Sequence, residues 1–327
     1  MQEELYTIHR EVAEGLESWG EPPRLLYAFD GFVDAGVVAG LAINDLVTHG
    51  DAQRLVSFRT DDLLDYRSRR PPMSYGPNGW LGVSQPDLGI DVVHDAEGAP
   101  LLLMYGPEPD FKWEAFAGAM VDLADHFDIG HAIGMHGIPV PVPHTRPWRV
   151  SGPGQPESLV KELTGHEGRI HLPGSAMGLV EIKLKENGRQ ASTYSLQVPA
   201  YLASTPCPGG AAQLLRVIGG VTGLNFELGR LIKAGAEARA QIDQQVASSP
   251  DLVDAVRRME DRYDQALQRR AAGELEAEAL PTGDELAAEF EKYLAALGET
   301  DQADGQDGQD GQGGPNGQDG PAGPEFS

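Results

Sequence analysis

The side chains best placed to do chemistry in this sequence are His144, Thr145 and Arg146, held between Pro143 and Pro147. A histidine can move protons near neutral pH and an arginine presents a planar fork of five donors. The pair therefore suits an acid/base and an anion clamp. The same residues suit a structural task, with Arg146 pairing to a carboxylate and His144 bonding to backbone. No nucleophile with an adjacent base accompanies them. A second group, Asp30 and Asp34 with Gly31 and Gly36, falls between an apolar strand and a helix, where α/β enzymes bind ligands. Its spacing is neither GxGxxG nor a P-loop, and two carboxylates repel a phosphate unless a metal intervenes. Capping of the following helix by Asp34, worth about 1 kcal/mol, is the preferred reading. The third group is Arg67, Arg69 and Arg70, a dense basic cluster in an acidic chain. It suits an anionic ligand or the acidic surface of a neighbouring subunit, and equally a solvated loop.

Other candidates read as structural. His136, at the end of an apolar strand, is expected to be a satisfied, partly buried histidine. Ser175 in Pro-Gly-Ser-Ala-Met-Gly does not make a GxSxG elbow. Cys207, between two prolines at a helix entrance, has no histidine signature beside it. No His, Cys and carboxylate set has metal spacing, and HExxH and CxxC are absent, so neither metal nor cofactor is expected.

These residues need elements to hold them. Residues 24–31 read as a buried strand, followed by a helix with Val38, Leu41, Ile43 and Leu46 that stops at His49-Gly50, and then a strand at 55–58. This β–loop–α–β opening predicts a parallel sheet with helical crossovers. A helical turn at 60–66 leads to the basic loop, and 90–93 with 101–105 read as a hairpin or as neighbouring strands. Asp110 is placed to cap a helix whose Phe116, Met120, Leu123 and Phe127 form one stripe. Next comes a short strand through Ala132, Ile133 and Met135. Pro139, Pro141, Pro143 and Pro147 then predict a stiff, extended segment leaving the sheet, because proline fixes φ and lacks an N–H. Strands are expected at 169–172, 179–184 and 192–198. Helices follow at 211–222, 226–246 and 252–269, and a last one is capped by Thr282 and Glu285.

With 327 residues the chain can bury a large core, and its net charge of −25 leaves no basic surface for a nucleic-acid partner. Only seven of the acids lie between Glu299 and Glu325, so the acidity is general. One cysteine rules out an intrachain disulfide and suits a reducing compartment. No apolar run reaches membrane-span length and residues 1–10 are too polar for a signal peptide, so a cytoplasmic location is expected. The stretch from Glu299 repeats glycine every third residue from Gly305 to Gly323, a collagen-type register. It is poor in proline and rich in acid, so disorder is the expectation, although a trimeric body would concentrate three such strands. The organisation reads as an N-terminal segment (1–23), an α/β core (24–205), a helical region of the same domain (206–298) and a tail (299–327).

The chain resembles the PAC2 family, the proteasome assembly chaperone 2-like proteins. The resemblance lies in Pro143-His-Thr-Arg-Pro147, the MYGPEPDFKW segment, PGSAMGLVEIKL (173–184), VPAYLASTPCPGGAAQLL (198–215) and RMEDRYDQ. It implies an α/β fold of three layers, phosphorylase/hydrolase-like, around a mixed, mostly parallel sheet with a helical C-terminal region. It also implies a homo-oligomer, a trimer being the state that suits the tail, and a role in assembling or binding proteasome subunits. Family chaperones dock through a C-terminal hydrophobic-Tyr-X motif, whereas this chain reads Glu325-Phe326-Ser327. Two functions follow as expectations. One is a non-catalytic assembly or interaction factor. The other is a phosphorylase/hydrolase-type enzyme, or an anion or nucleotide binder, with a pocket near Asp30, Asp34, His144 and Arg146.

Overall fold

The computed structural model describes residues 5–16, 19–31, 33–154 and 169–271. Contacts divide the chain into Met1–Glu276 and Ala277–Ser327. The helix expected after Thr282 and the glycine-repeat tail lie outside the described residues.

The first unit is built on an eight-stranded sheet, in spatial order β1 (Tyr6–Ile8), β3 (Gln53–Phe58), β6 (Gly89–His94), β7 (Pro100–Tyr105), β2 (Arg24–Tyr27), β8 (His131–Val140), β10 (Ala191–Pro199) and β9 (Val150–Ser151). The four central strands β7, β2, β8 and β10 are parallel, and the outer strands pair antiparallel. The sheet is thus mixed with a parallel centre. β3 does not lie beside β2, despite the β–loop–α–β opening, but joins the antiparallel side three places away. A separate two-stranded hairpin is made by β4 (Met73–Gly76) and β5 (Gly79–Val83).

Strand alternation sends apolar side chains to both faces. Leu26, Leu101, Leu103, Ile133 and Met135 pack under α2 (Val38–His49) and the helix at Pro208–Thr222. Leu25, Tyr27, Leu102 and Met104 pack under α4 (Trp113–His126) and α5 (Ala176–Glu186). Three layers, α/β/α, result. The helices at Arg10–Leu16 (α1) and Thr60–Leu63 (α3) are short, and Pro208–Thr222, Gly229–Ala247 and Pro250–Ala271 are α6, α7 and α8. The close approach of α7 to the start of α6 depends on two glycines, because a Cβ on Gly235 would lie 2.6 Å from the Gly209 Cα.

Several local expectations are corrected. Residues 169–172 form no strand, and 179–184 belong to helix α5. Ser175 accepts the Gly178 N–H (3.0 Å) as N-cap, and Met177, Val180 and Leu184 bury one helical face. Asp110 does not cap α4. Its carboxylate accepts the Asp65 N–H (2.8 Å) and pairs with Arg69 (2.9 Å), while Lys112 starts the helix in a left-handed conformation. The proline segment also leaves the sheet later than its sequence implies. β8 runs through Pro139 to Val140, pairing with β10 throughout, but β2 stops opposite Gly134. Pro139 is tolerated because its missing N–H faces a free edge. Beyond Val140 the chain is not a straight rope. It turns at His144–Arg146, where the Arg146 N–H donates to Pro143 O (3.2 Å), and returns as β9 antiparallel to β10.

Candidate functional site

His144, Thr145 and Arg146 sit on this turn, and each spends its side chain on a partner far along the sequence. The Tyr201 hydroxyl, in the 3₁₀ turn after β10, accepts the His144 backbone N–H (2.7 Å). Its own hydrogen is then directed at His144 Nδ1 (2.6 Å), which leaves Nε2–H to donate to Asp243 Oδ1 of α7 (3.1 Å). Arg239 of α7 donates to His144 O (2.5 Å) and to Asp243 (2.9 Å). Thr145 donates to Glu260 of α8 (2.5 Å). Arg146 grips Asp264 with two donors (2.8 and 2.5 Å) and also reaches Glu260 (3.2 Å). Glu260 and Asp264 are four apart on α8 and therefore share a face.

The electrostatics follow from these contacts. Burial lowers the His144 pKa, and the Arg239 charge lowers it further against the pull of Asp243, so the neutral imidazole is favoured. The hydrogen bond from Arg146 holds the Asp264 carboxyl below its ordinary range, and Asp264 in turn raises the guanidinium. The Arg146 pairs are partly solvated, so water screens them and they position the helix more than they stabilise it. The cavity beside His144 and Arg146 measures about 10 Å³, space for roughly one water molecule and no substrate. Tyr201, His144 and Asp243 form a hydrogen-bonded chain that ends at the half-exposed Asp243 carboxylate.

Asp30 and Asp34 lie elsewhere, at the carboxyl ends of the central strands. The Asp34 carboxylate accepts the Ala39 and Gly40 N–H groups (3.1 and 3.0 Å) at the start of α2. It also accepts the Gly137 N–H of β8 (2.9 Å). Val37, not Asp34, is the N-cap residue of α2. The Asp34 carboxylate reaches past it to satisfy N–H groups of the first turn, and it also serves the edge of β8 that β2 leaves bare. Gly137 is required there, since a Cβ would lie 2.0 Å from Ala35 O. Burial raises the pKa of both aspartates, opposed at Asp34 by its three backbone donors and at Asp30 by Arg69.

Two cavities flank this point. One, about 200 Å³, is lined by Asp30, Asp34, Asn44 and Tyr105, where the loops after β2 and β7 part toward opposite faces. The other, about 280 Å³, lies on the α5 side and is lined by Phe29, Ile138, Leu172, Met177, Glu108 and His136. Glu108 is buried, and one of its oxygens accepts the Ala176 N–H (2.7 Å) at the start of α5. His136 is bonded to Ser195 (2.6 Å) and burial brings its pKa down to about 4, as a satisfied core histidine requires. The pocket expected to join Asp30, Asp34, His144 and Arg146 is not formed, because the two pairs line different cavities.

Of the basic cluster, Arg69 pairs with Asp110 (2.9 Å), whereas Arg67 and Arg70 are exposed. Burial raises the Cys207 thiol to about 11, which leaves it unreactive. Among the described residues no group of three or more His, Cys, Asp or Glu could hold a metal ion, and no helix is long and apolar enough to cross a membrane. The partners Tyr201, Arg239, Asp243, Glu260 and Asp264 were not legible as site residues. The i, i+4 acid pair on α8 was the one available signal.

Residues 28–246 match the PAC2 family. A Mycobacterium tuberculosis protein of unknown function is 34% identical with a TM-score of 0.73, covering 82% of this chain and 93% of its own. A Corynebacterium glutamicum protein of unknown function is 31% identical with a TM-score of 0.73, covering 81% of this chain and 99% of its own. The fold is shared by a proteasome-assembly chaperone homologue of M. tuberculosis at 24% identity and TM-score 0.62, over 71% of this chain and 99% of that one. No curated protein matches the sequence. The family match takes in the strand ends, the latched turn and the helix that receives His144, so the chain belongs to the PAC2 family.

Proposed function

We propose that this protein is a non-catalytic assembly or interaction factor, working as a homo-oligomer and binding other proteins, proteasome subunits among them. The observation that carries this reading is the latch. All three polar side chains of the His144–Arg146 turn are consumed in fixing α7 and α8, beside a cavity that holds no more than a water. A site built for turnover leaves its acid and base facing a substrate. This one uses them to set the direction of a helix pair, which is what a docking surface needs. Membership of the PAC2 family and the chaperone homologue among the structural neighbours support the same reading. The test is capture of proteasome α-type subunits by the full chain. Retention by wild type and loss in Arg146→Ala, with the circular dichroism spectrum kept, is the expected result. No capture by either would overturn the proteasome link.

The 280 Å³ cavity favours a second reading, a small-ligand site. Its apolar walls and buried Glu108 carboxylate suit an apolar or cationic molecule, and the carboxylates around the neighbouring cavity oppose a nucleotide or phosphate. Thermal-shift measurements with amines and nucleosides separate the two classes, a rise with nucleosides alone counting against this reading.

A further inference from the structure

The cavity of about 280 Å³ beside α5 contains a carboxylate that its apolar walls do not call for. Phe29, Val33, Ile138, Leu172 and Met177 make much of the lining, and Glu108 stands among them. Glu108 is only 8% exposed. One of its oxygens accepts the Ala176 N–H (2.7 Å), and the other has no partner among the described residues. Arg69, the cation of the neighbouring loop, is already paired with Asp110 (2.9 Å). A buried carboxylate is costly unless its oxygens are satisfied, so the second oxygen calls for a donor from outside. His136, the other titratable side chain of the wall, is bonded to Ser195 (2.6 Å) and kept neutral by burial. Asp30 and Asp34 line the adjoining cavity, which shares Phe29. The field around the site is therefore negative.

We propose that the cavity takes a small primary arylalkylamine, with its ring among Phe29, Ile138 and Met177 and its ammonium on the free oxygen of Glu108. Volume sets the size. An apolar cavity of about 150 Å³ holds a benzene molecule, so about 280 Å³ admits one ring with a short arm. Charge sets the head group. An ammonium brings three donors to an oxygen that lacks one, an alcohol brings a single donor, and a carboxylate meets like charge. The apolar walls keep water from that contact and so strengthen it. Phe29 and Met177 favour an aromatic ring over an alkyl chain, through ring–ring and sulfur–ring contact. The Ala176 N–H at the start of α5 fixes Glu108, so the acceptor is oriented before the ligand arrives.

The inference rests on the reading of this cavity as a small-ligand site, and the two can fail separately. The full chain is titrated calorimetrically with 2-phenylethylamine, 2-phenylethanol and 3-phenylpropanoate, each to about 5 mM. The amine is expected to bind, the alcohol to bind about tenfold or more weakly, and the anion not to bind. Glu108→Gln keeps an oxygen for the Ala176 N–H and removes the negative charge. It should bring the amine down to the affinity of the alcohol, with the circular dichroism spectrum and the alcohol's own affinity unchanged. Ile138→Phe fills the cavity and removes binding of both. An amine that binds no tighter than the alcohol, or that binds Glu108→Gln as well as wild type, would overturn the amine assignment and leave a small-ligand site standing. Heat from none of the three probes overturns both. Should Glu108→Gln not fold, the order of the three probes on wild type decides alone.

Discussion

The turn at 141–149 and the arm at 73–83 are both excursions from the sheet edged by proline and arginine, yet they end in opposite states. In the turn every polar side chain from His144 to Arg146 finds a partner within the chain, and the segment becomes the bracket that holds α7 and α8. In the arm the strands pair with each other, while Tyr75, Trp80 and Leu81 are exposed. Saturated polarity makes a rigid internal joint. Unspent apolar area leaves a segment held only by its own pairing.

The contrast can be broken in several ways, the largest effect first. His136 and His144 are both held neutral, His136 with a pKa near 4 against its ordinary 6.5. As pH falls through 6.5 the unfolded chain takes up protons that the folded chain refuses, so stability is intact above 6.5 and declines toward pH 4. His136 alone accounts for about 3 kcal/mol of that loss. Urea unfolding against pH reads the slope, and His136→Gln should flatten it. Next, His144→Ala or Tyr201→Phe is expected to cost about 2–3 kcal/mol, because each strands a buried hydrogen-bonding partner. Arg146→Ala costs about 1–2 kcal/mol and releases α8, read as faster limited proteolysis between residues 247 and 250. Smallest of all, Trp80→Ser should change unfolding free energy by less than about 0.5 kcal/mol at any pH, since its side chain is exposed in the single chain. An arm variant as costly as a turn variant would erase the distinction.

How much of this could be read from sequence depends on the range of the interaction. The strand through Leu25 and Leu26 and the α4 stripe of Phe116, Met120 and Leu123 are local and read correctly, with Phe127 just past the helix end. Asp34, by contrast, serves α2 from four residues before it and not as its N-cap. Residues 179–184 misled because Leu179, Val180 and Ile182 suggest a strand over a short window, while the helical evidence lies in the Ser175 cap and the longer Met177–Val180–Leu184 spacing. The exit of β8 was placed too early because proline forbids a ladder bond only where a neighbour exists, and β2 ends at Tyr27 opposite Gly134. The latch was half legible. Arg146 needing a carboxylate follows from its chemistry, but Asp264 is 118 residues away and only folding selects it. The hairpin is not legible in the sequence, because Gly76-Pro77-Asn78-Gly79 lies between short uncharged runs directly behind a cluster of arginines.

The early end of β2 reaches further than one strand's length. Past Gly134 the sheet parts like a seam left unsewn, and Asp34 is the single stitch, taking the Gly137 N–H where a neighbouring strand would have done so. The space on the α5 side exists because that seam stays open. Its width is therefore governed by the loop from Ala28 to Asp34, and relatives that lengthen or shorten this loop would remould the chamber while leaving every strand in place.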